Sequence, residues 1–337
     1  MTPAAEQAWR RVTQLGFFAL FVLAPVFDLF RYDMVEKHAY LLTFPWQLGI
    51  DDLLAKRIPP AQAVVNIVLR LILPLVVAIA AFIYATRRWG RIYCGWLCPH
   101  FGVVEWLNSL FVRAIGKPTL WEGKALPPIH PNGQPRVRDW RAWLPMLPIA
   151  VASGFIFTLA ALTYVMPPRH VYGSLLRGTL LPGEVWLLIA GTVAFSLELL
   201  FARHLFCRYG CSVGILQSLA WMSNRRALVV GTERSRLAEC ATCLDGQGSA
   251  CDAVCPMRLK PRSLKRWMFS CTQCGLCIDA CATVNTAQAA APLLRWTRGD
   301  AALRNEAAFS AVDAMTPLSR KLPQNSTIRP TNPTETP

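Results

Sequence analysis

An α-helical membrane protein with four transmembrane helices, arranged as a two-fold internal repeat and followed by a C-terminal α+β dicluster ferredoxin-like domain, is the fold class this 337-residue sequence predicts. Three observations predict it: four apolar stretches of spanning length, a C-x3-C segment that occurs twice, and eight cysteines packed between Cys240 and Cys281.

The spans come first in chain order. Hydrophobic residues make up 53% and charged residues 16%, with a mean hydropathy of +0.32, the balance of a membrane protein carrying a smaller soluble part. The apolar stretches are Leu15 to Phe30, Val64 to Tyr84, Trp143 to Val165 and Val185 to Phe206. Each is near the roughly 20 residues that a bilayer core demands. The first is the shortest, and with no small-x-small cleavage site after it, it reads as a retained anchor. Lys and Arg number nine between spans two and three and seventeen from Arg203 onward, against four and two in the other loops. The positive-inside rule then puts both termini and the middle loop in the cytoplasm.

That distribution absorbs much of the +15 net charge without nucleic acid as a partner. The run Lys260 to Arg266 reads as a solvated face or a contact with anionic headgroups of membrane lipid, and in a sharper reading as a docking patch for an acidic redox partner. The proline-rich loop Gly116 to Trp140 is expected to be irregular, and the tail Pro317 to Pro337 disordered. The sequon at Asn325 carries no weight on the cytoplasmic side.

The repeat is seen by aligning Arg91 to Leu107 (RIYCGWLCPHFGVVEWL) with His204 to Leu219 (HLFCRYGCSVGILQSL) after a one-residue gap. Each copy is two spans, a C-x3-C pair and a short amphipathic helix at the inner interface. In the first copy Val103, Leu107, Leu110, Phe111 and Ala114 recur at helical spacing. The chain divides accordingly: residues 1–114, the first membrane repeat; 115–141, the Pro-rich loop; 142–226, the second repeat; 227–290, a 2×[4Fe-4S] domain; 291–337, the tail. Pro99 suits the first position of a helix, leaving Cys98 at the N-cap, and Ser212 can cap the second copy. A thiol there feels the positive helix end, which favours thiolate and reactivity. Cys94, Cys98, Cys207 and Cys211 are thus candidate catalytic residues, read as a redox-active dithiol, a soft copper(I) site or plain packing, with His100 and His204 as further nitrogen ligands.

The last element is the cysteine-rich stretch, Cys240-x2-Cys243-x7-Cys251-x3-Cys255-Pro256 and Cys271-x2-Cys274-x2-Cys277-x3-Cys281. Three cysteines on one tight loop face one cubane while the fourth ligates the other. One cluster therefore takes Cys240, Cys243, Cys251 and Cys281, and the second takes Cys271, Cys274, Cys277 and Cys255. Two [4Fe-4S] cofactors imply electron transfer. The first motif carries an insertion, Leu244 to Ala250, whose polar DGQGS is expected to bulge outward. Structural zinc, and with it a non-redox membrane regulator, is the rival, although zinc ribbons separate their knuckles by a longer spacer.

Charges within the spans are few: Arg70, Glu198 and, near the outer end of the first, Asp28. They read as quinol-binding or proton-transfer groups, or as side chains reaching outward to water. No histidine falls in mid-membrane, so no pair of facing ligands for a transmembrane haem exists. Walker A, H-E-x-x-H, G-x-S-x-G and C-x-x-C-H are all missing, which leaves nucleotide hydrolysis, metalloprotease, serine hydrolase and c-type haem without support.

With CGWLCP at Cys94 to Pro99, CRYGC at Cys207 to Cys211 and a dicluster domain after the last span, the chain resembles the membrane polyferredoxins of the NapH, NosR and CcoG (FixG/RdxA) group, from roughly Leu15 to Asn285. The resemblance implies a four-span iron–sulfur protein of a bacterial inner membrane. Members similar to NapH pass quinol electrons toward periplasmic reductases; those similar to CcoG assist assembly of a cbb-type haem–copper oxidase, by reducing copper. Copper or a quinol thus joins the expected ligands, and a reductase or oxidase-assembly machinery the expected partners. The chain departs from the pattern at Ser212, where proline commonly stands, at the Leu244 to Ala250 insertion and at Ala282 after Cys281. It also has no room after the cluster domain for a CcoG-like immunoglobulin-type domain.

Overall fold

The computed structural model describes residues 2–34, 38–123, 125–246, 248–287 and 290–315; the expectation for the tail Pro317 to Pro337 lies outside them. The chain opens with α1 (Pro3–Leu23), begun by Pro3 after the Thr2 hydroxyl, which accepts the Ala5 N–H at 3.3 Å. Its position departs from the first expected span. The helix starts twelve residues before Leu15 and stops at Leu23, because its polar first half is not solvated: Gln7, Arg10 and Gln14 are buried in protein. After a turn the chain forms an antiparallel sheet of β1 (Phe30–Asp33), β2 (His38–Leu41) and β3 (Phe44–Trp46).

Next come α2 (Ile50–Leu54) and one continuous apolar rod, Pro60–Trp89, made of α3 (Pro60–Ile67), a π turn (Val68–Ile72) and α4 (Leu73–Trp89). Short α5 (Ile92–Trp96) and α6 (Pro99–Ile115) lead through the middle loop to α7 (Trp143–Val165), α8 (Pro168–Arg177) and α9 (Pro182–Leu197), which continues as a π turn through Ala202. Among the described residues, three helices are long and apolar enough to cross a membrane: Pro60–Trp89, Trp140–Val165 and Pro182–Ala202. α7 and α9 approach closely because small residues meet there, Gly154 against Ser196 and Thr192, and Gly191 against Thr158. Each in-span charge has a partner. Asp28 pairs with Arg31, Arg70 donates to the Gln47 carbonyl at 3.0 Å while its own carbonyl accepts the Trp46 indole, and Glu198 meets His100 at 2.6 Å.

The apolar face of α6, the helix expected at the inner interface, is covered by protein. The helix packs lengthwise and antiparallel along the first half of α7, with Phe111 edge-on to Trp143 at one end and His100 near Phe157 at the other. Val104, Leu107 and Phe111 share a buried core with Met146, Ala150 and Leu199. Val103 and Leu110, expected on the buried face, are only half-buried, and Phe101 is buried instead, toward the C-terminal domain.

After a third π turn (Phe206–Gly210) and α10 (Ser212–Met222), the C-terminal part comprises β4 (Val229–Thr232), a 3-10 stretch (Arg234–Gly246), α11 (Ala250–Val254), α12 (Leu276–Ala287), β5 (Leu294–Thr297) and α13 (Asp300–Met315), with β4 and β5 paired antiparallel. The basic run Lys260 to Arg266 is not one solvated face. Lys265 is buried and donates to the Trp221 and Asn224 carbonyls, and Arg262 pairs with Asp252 at 2.8 Å; Lys260 and Arg266 alone are exposed.

Candidate functional site

Eight cysteines converge on two pockets. Cys240, Cys243, Cys251 and Cys281 line the first, with Ala250, Leu293 and Leu294 among their neighbours. Cys255, Cys271, Cys274 and Cys277 line the second, closed by Val230, Met257 and Met268. The exchange of fourth cysteines follows from the helices. Cys277 and Cys281 lie four apart near the start of α12, while Cys251 is inside α11 and Cys255 caps its end. α11 packs on α12, so each helix sends one cysteine to either pocket. The insertion does not remove Cys251. Leu244 and Asp245 take left-handed backbone (φ 50° and 55°), Asp245 and Gly246 turn out to solvent, and Leu244 turns in against Ala280 and Val284.

The surroundings suit anionic sulfur. The N–H groups of Ala250 and Leu259 reach the Cys243 and Cys255 Sγ atoms at 3.4 Å, and the Asn285 amide reaches Cys281 Sγ at 3.4 Å. Burial raises the thiols of Cys255 to about 11 and Cys271 to about 12, so as free thiols they keep their protons. A cationic metal group bound in the pocket would make them thiolates. Among the described residues no three of His, Cys, Asp and Glu stand close enough to hold a single metal ion. Four cysteines around each pocket, with N–H donors to sulfur, could hold an iron–sulfur cluster.

The C-x3-C pairs share one local geometry. Cys94 lies on the short α5 and Cys207 in the Phe206–Gly210 turn, whereas Cys98 and Cys211 are the N-caps of α6 and α10. Pro99 is the first helical residue, as expected; Ser212 is not the cap but the residue after it. At Cys98 burial outweighs the helix end and pushes the thiol up to about 11, against the expected reactive thiolate, and burial raises Cys94 and Cys207 as well. His100 Nδ1 lies 3.6 Å from Cys207 Sγ. His204 packs tilted against Phe101 with both ring nitrogens buried and unbonded, and burial lowers it to about 3.

These pairs abut the second pocket through residues that sequence reasoning missed. A Cβ on Gly95 would stand 2.2 Å from the Thr272 carbonyl, so only glycine lets the α5 turn touch the Cys271–Cys274 loop. The Gln273 side chain accepts the Arg91 N–H at 2.6 Å, and its carbonyl accepts the Trp96 indole at 3.0 Å. From α1, Gln7 donates to the Cys274 carbonyl, Gln14 to that of Gly95, and Arg10 pairs with Glu105. The spacing of the cysteines gave no hint of these; the glycine inside C-G-W-L-C was the one available signal. An open cleft borders this junction, lined by Glu6, Trp89, Trp96, Gln273, Trp296 and Arg298 among others.

A family described as 4Fe-4S binding domain matches residues 70–118 and again 183–228, and each match contains one C-x3-C pair. Ferredoxin-type protein NapH of Haemophilus influenzae is 25% identical over 291 residues, covering 81% of this chain and 86% of the relative. An uncharacterized protein of Methanocaldococcus jannaschii is 26% identical over 275 residues, covering 82% and 92% respectively. No solved structure matches the chain.

Proposed function

Because homology to NapH and the 4Fe-4S binding domain support membership of the NapH-type polyferredoxins, we propose that this iron–sulfur electron-transfer membrane protein carries electrons between a quinol or a cytoplasmic donor and a partner redox complex. The division of eight cysteines between two four-cysteine pockets carries the reading. Cys240, Cys243, Cys251 and Cys281 hold one [4Fe-4S] group, and Cys255, Cys271, Cys274 and Cys277 hold the other. Each group, when bound, supplies a one-electron couple. The chain's own residues do the rest: Ala250, Leu259 and Asn285 donate to sulfur, Arg262 balances charge beside Cys240, and Val230, Met257 and Met268 keep water from the second pocket.

In this reading residues 1–114 and 142–226 are the two membrane repeats, and 227–290 the cluster domain, facing the cytoplasm of a bacterial inner membrane. α1 serves as the fourth crossing. Support comes from its two ends: Gln7 bonds the Cys274 carbonyl, while the Phe21 carbonyl accepts the Tyr164 hydroxyl at 2.9 Å near the far end of α7. Fourteen residues of helix separate those contacts, about 21 Å. The donor's contact is assigned to the cleft beside Gln273, where the tryptophans offer stacking faces and Glu6 a proton acceptor.

The test is a redox titration of the anaerobically prepared chain in lipid nanodiscs. Visible absorption that bleaches with a reduced quinol analogue or with dithionite, and returns with an added oxidant, is expected. Absorption unchanged by either reductant would rule the reading out.

A further inference from the structure

We infer that the three-stranded sheet β1–β3 is a lipid-docking element, lying in the membrane surface at the end of the spans remote from the cysteines, with its aromatic face seated among the lipids of that leaflet.

The sheet is turned inside out. Its register puts Phe30, Leu41 and Phe44 in one row and Tyr32, Ala39 and Trp46 in the next, all on one face, with Arg31 and Asp33 on the other. Facing water, such a sheet would bury the aromatic side and show the charges. Here Arg31 and Asp33 are 6% and 1% exposed, Arg31 pairing with Asp28 and Asp33 and lying over the Tyr40 ring, while Phe30 and Phe44 are 61% and 71% exposed. A contiguous apolar face left bare beside charges that are buried marks a surface whose solvent is not water. The β2–β3 turn agrees. Leu42 and Thr43 both take left-handed backbone, φ 50° and 70°, positions that asparagine and glycine favour, and the leucine stands exposed at the tip.

What covers the face follows from its neighbours. At one edge the Trp46 indole donates to the Arg70 carbonyl of the apolar rod at 2.9 Å, and Arg70 donates to the Gln47 carbonyl. At the other, the Phe30 ring lies 6.4 Å from that of Tyr164, and the Met34 N–H bonds the Val165 carbonyl at the end of α7. Beside Arg70 the rod exposes Val65, Val68, Leu69 and Ile72, surface that a spanning helix gives to lipid, and the aromatic face continues it. From Arg70 to Trp89, which leads into α5 and Cys94, the rod rises about 28 Å, close to the roughly 30 Å of a hydrocarbon core. With Trp89 at one interface, Arg70 and the sheet therefore stand at the other, the depth at which Tyr and Trp collect. The open edges of β1 and β3 keep the sheet in the headgroup zone, since unpaired strand edges are not tolerated deeper. A second copy or a soluble partner fits less well, because either would have to displace the lipid around the adjoining rod.

The test is photolabelling of the wild-type chain in nanodiscs of phosphatidylethanolamine and phosphatidylglycerol, with an aryl diazirine that partitions into lipid. Residues 30–46 are expected to carry label as densely as rod residues 64–72 and several-fold more densely than the exposed loop around Val137. Labelling at the level of that loop would overturn the inference. As a second measurement, p-benzoylphenylalanine replaces Phe44 or Tyr32 and is irradiated both in those nanodiscs and in membranes of the producing cells. Chains heavier by one phospholipid are expected in both settings. A conjugate with a second copy or with another protein, or no adduct, overturns the lipid assignment. Both readouts are independent of iron, so the electron-transfer reading stands or falls separately.

Discussion

Cys281 is the residue on which the pocket assignment turns, because its motif neighbours Cys271, Cys274 and Cys277 all line the other pocket. Cys281→Ser is expected to perturb the same EPR signal as Cys240→Ser, and Cys255→Ser the same signal as Cys271→Ser. Cys281→Ser grouping with Cys271→Ser would refute the crossed arrangement. Gly95→Ala tests the junction: its new methyl has no place beside the Thr272 carbonyl, and we expect a loss of about 1–3 kcal/mol in thermal or denaturant unfolding, with wild-type stability the contrary result. The cysteines were legible in the sequence because ligand spacing is local. Gly95, Gln273 and Arg91 were not, because their roles arise only when segments nearly two hundred residues apart come into contact.

α1 shows what hydropathy alone misses in a helix. The apolar window from Leu15 marked the half that faces α7, whereas the half before it is fixed by buried polar contacts that no window detects. Its anchor is the Arg10–Glu105 pair, with Arg10 side chain 2% and Glu105 25% exposed. Arg10→Met strands a partly buried carboxylate and should cost about 3 kcal/mol, the low end for a buried pair, because Glu105 keeps some contact with water. A double variant with Glu105→Gln should recover part of that loss; equal stability of both to wild type would remove α1 from the list of elements that hold the cluster loop. α6 carries a related lesson. Its periodicity correctly announced a helix with one apolar stripe, but not that a second face, through Phe101, joins the core of the C-terminal domain.

For the molecule as a whole, composition announced a membrane part and cysteine spacing an iron–sulfur function, and the homology and the family match support the coarse statement of an iron–sulfur electron-transfer membrane protein. How the two parts are joined could not be read, since the joints are single buried groups. Lys265 is one, tying the C-terminal part to the end of α10 through the Trp221 and Asn224 carbonyls. Burial lowers it from 10.5 to about 8, with Glu306 opposing in part. Between about pH 8 and pH 10.5 the unfolded chain therefore binds the extra proton, so stability rises with pH in that window, by about 3 kcal/mol at most. Urea unfolding at several pH values should show wild type gaining on Lys265→Met across it, and parallel curves would refute the joint.

The most direct measurement of whether the eight cysteines hold two cubanes is low-temperature EPR of the anaerobic, dithionite-reduced chain with metal analysis of the same sample. Overlapping, magnetically interacting signals of reduced [4Fe-4S] groups, with iron and sulfide in equal amounts, are the predicted result. A silent spectrum from a colourless sample holding zinc without sulfide would contradict it.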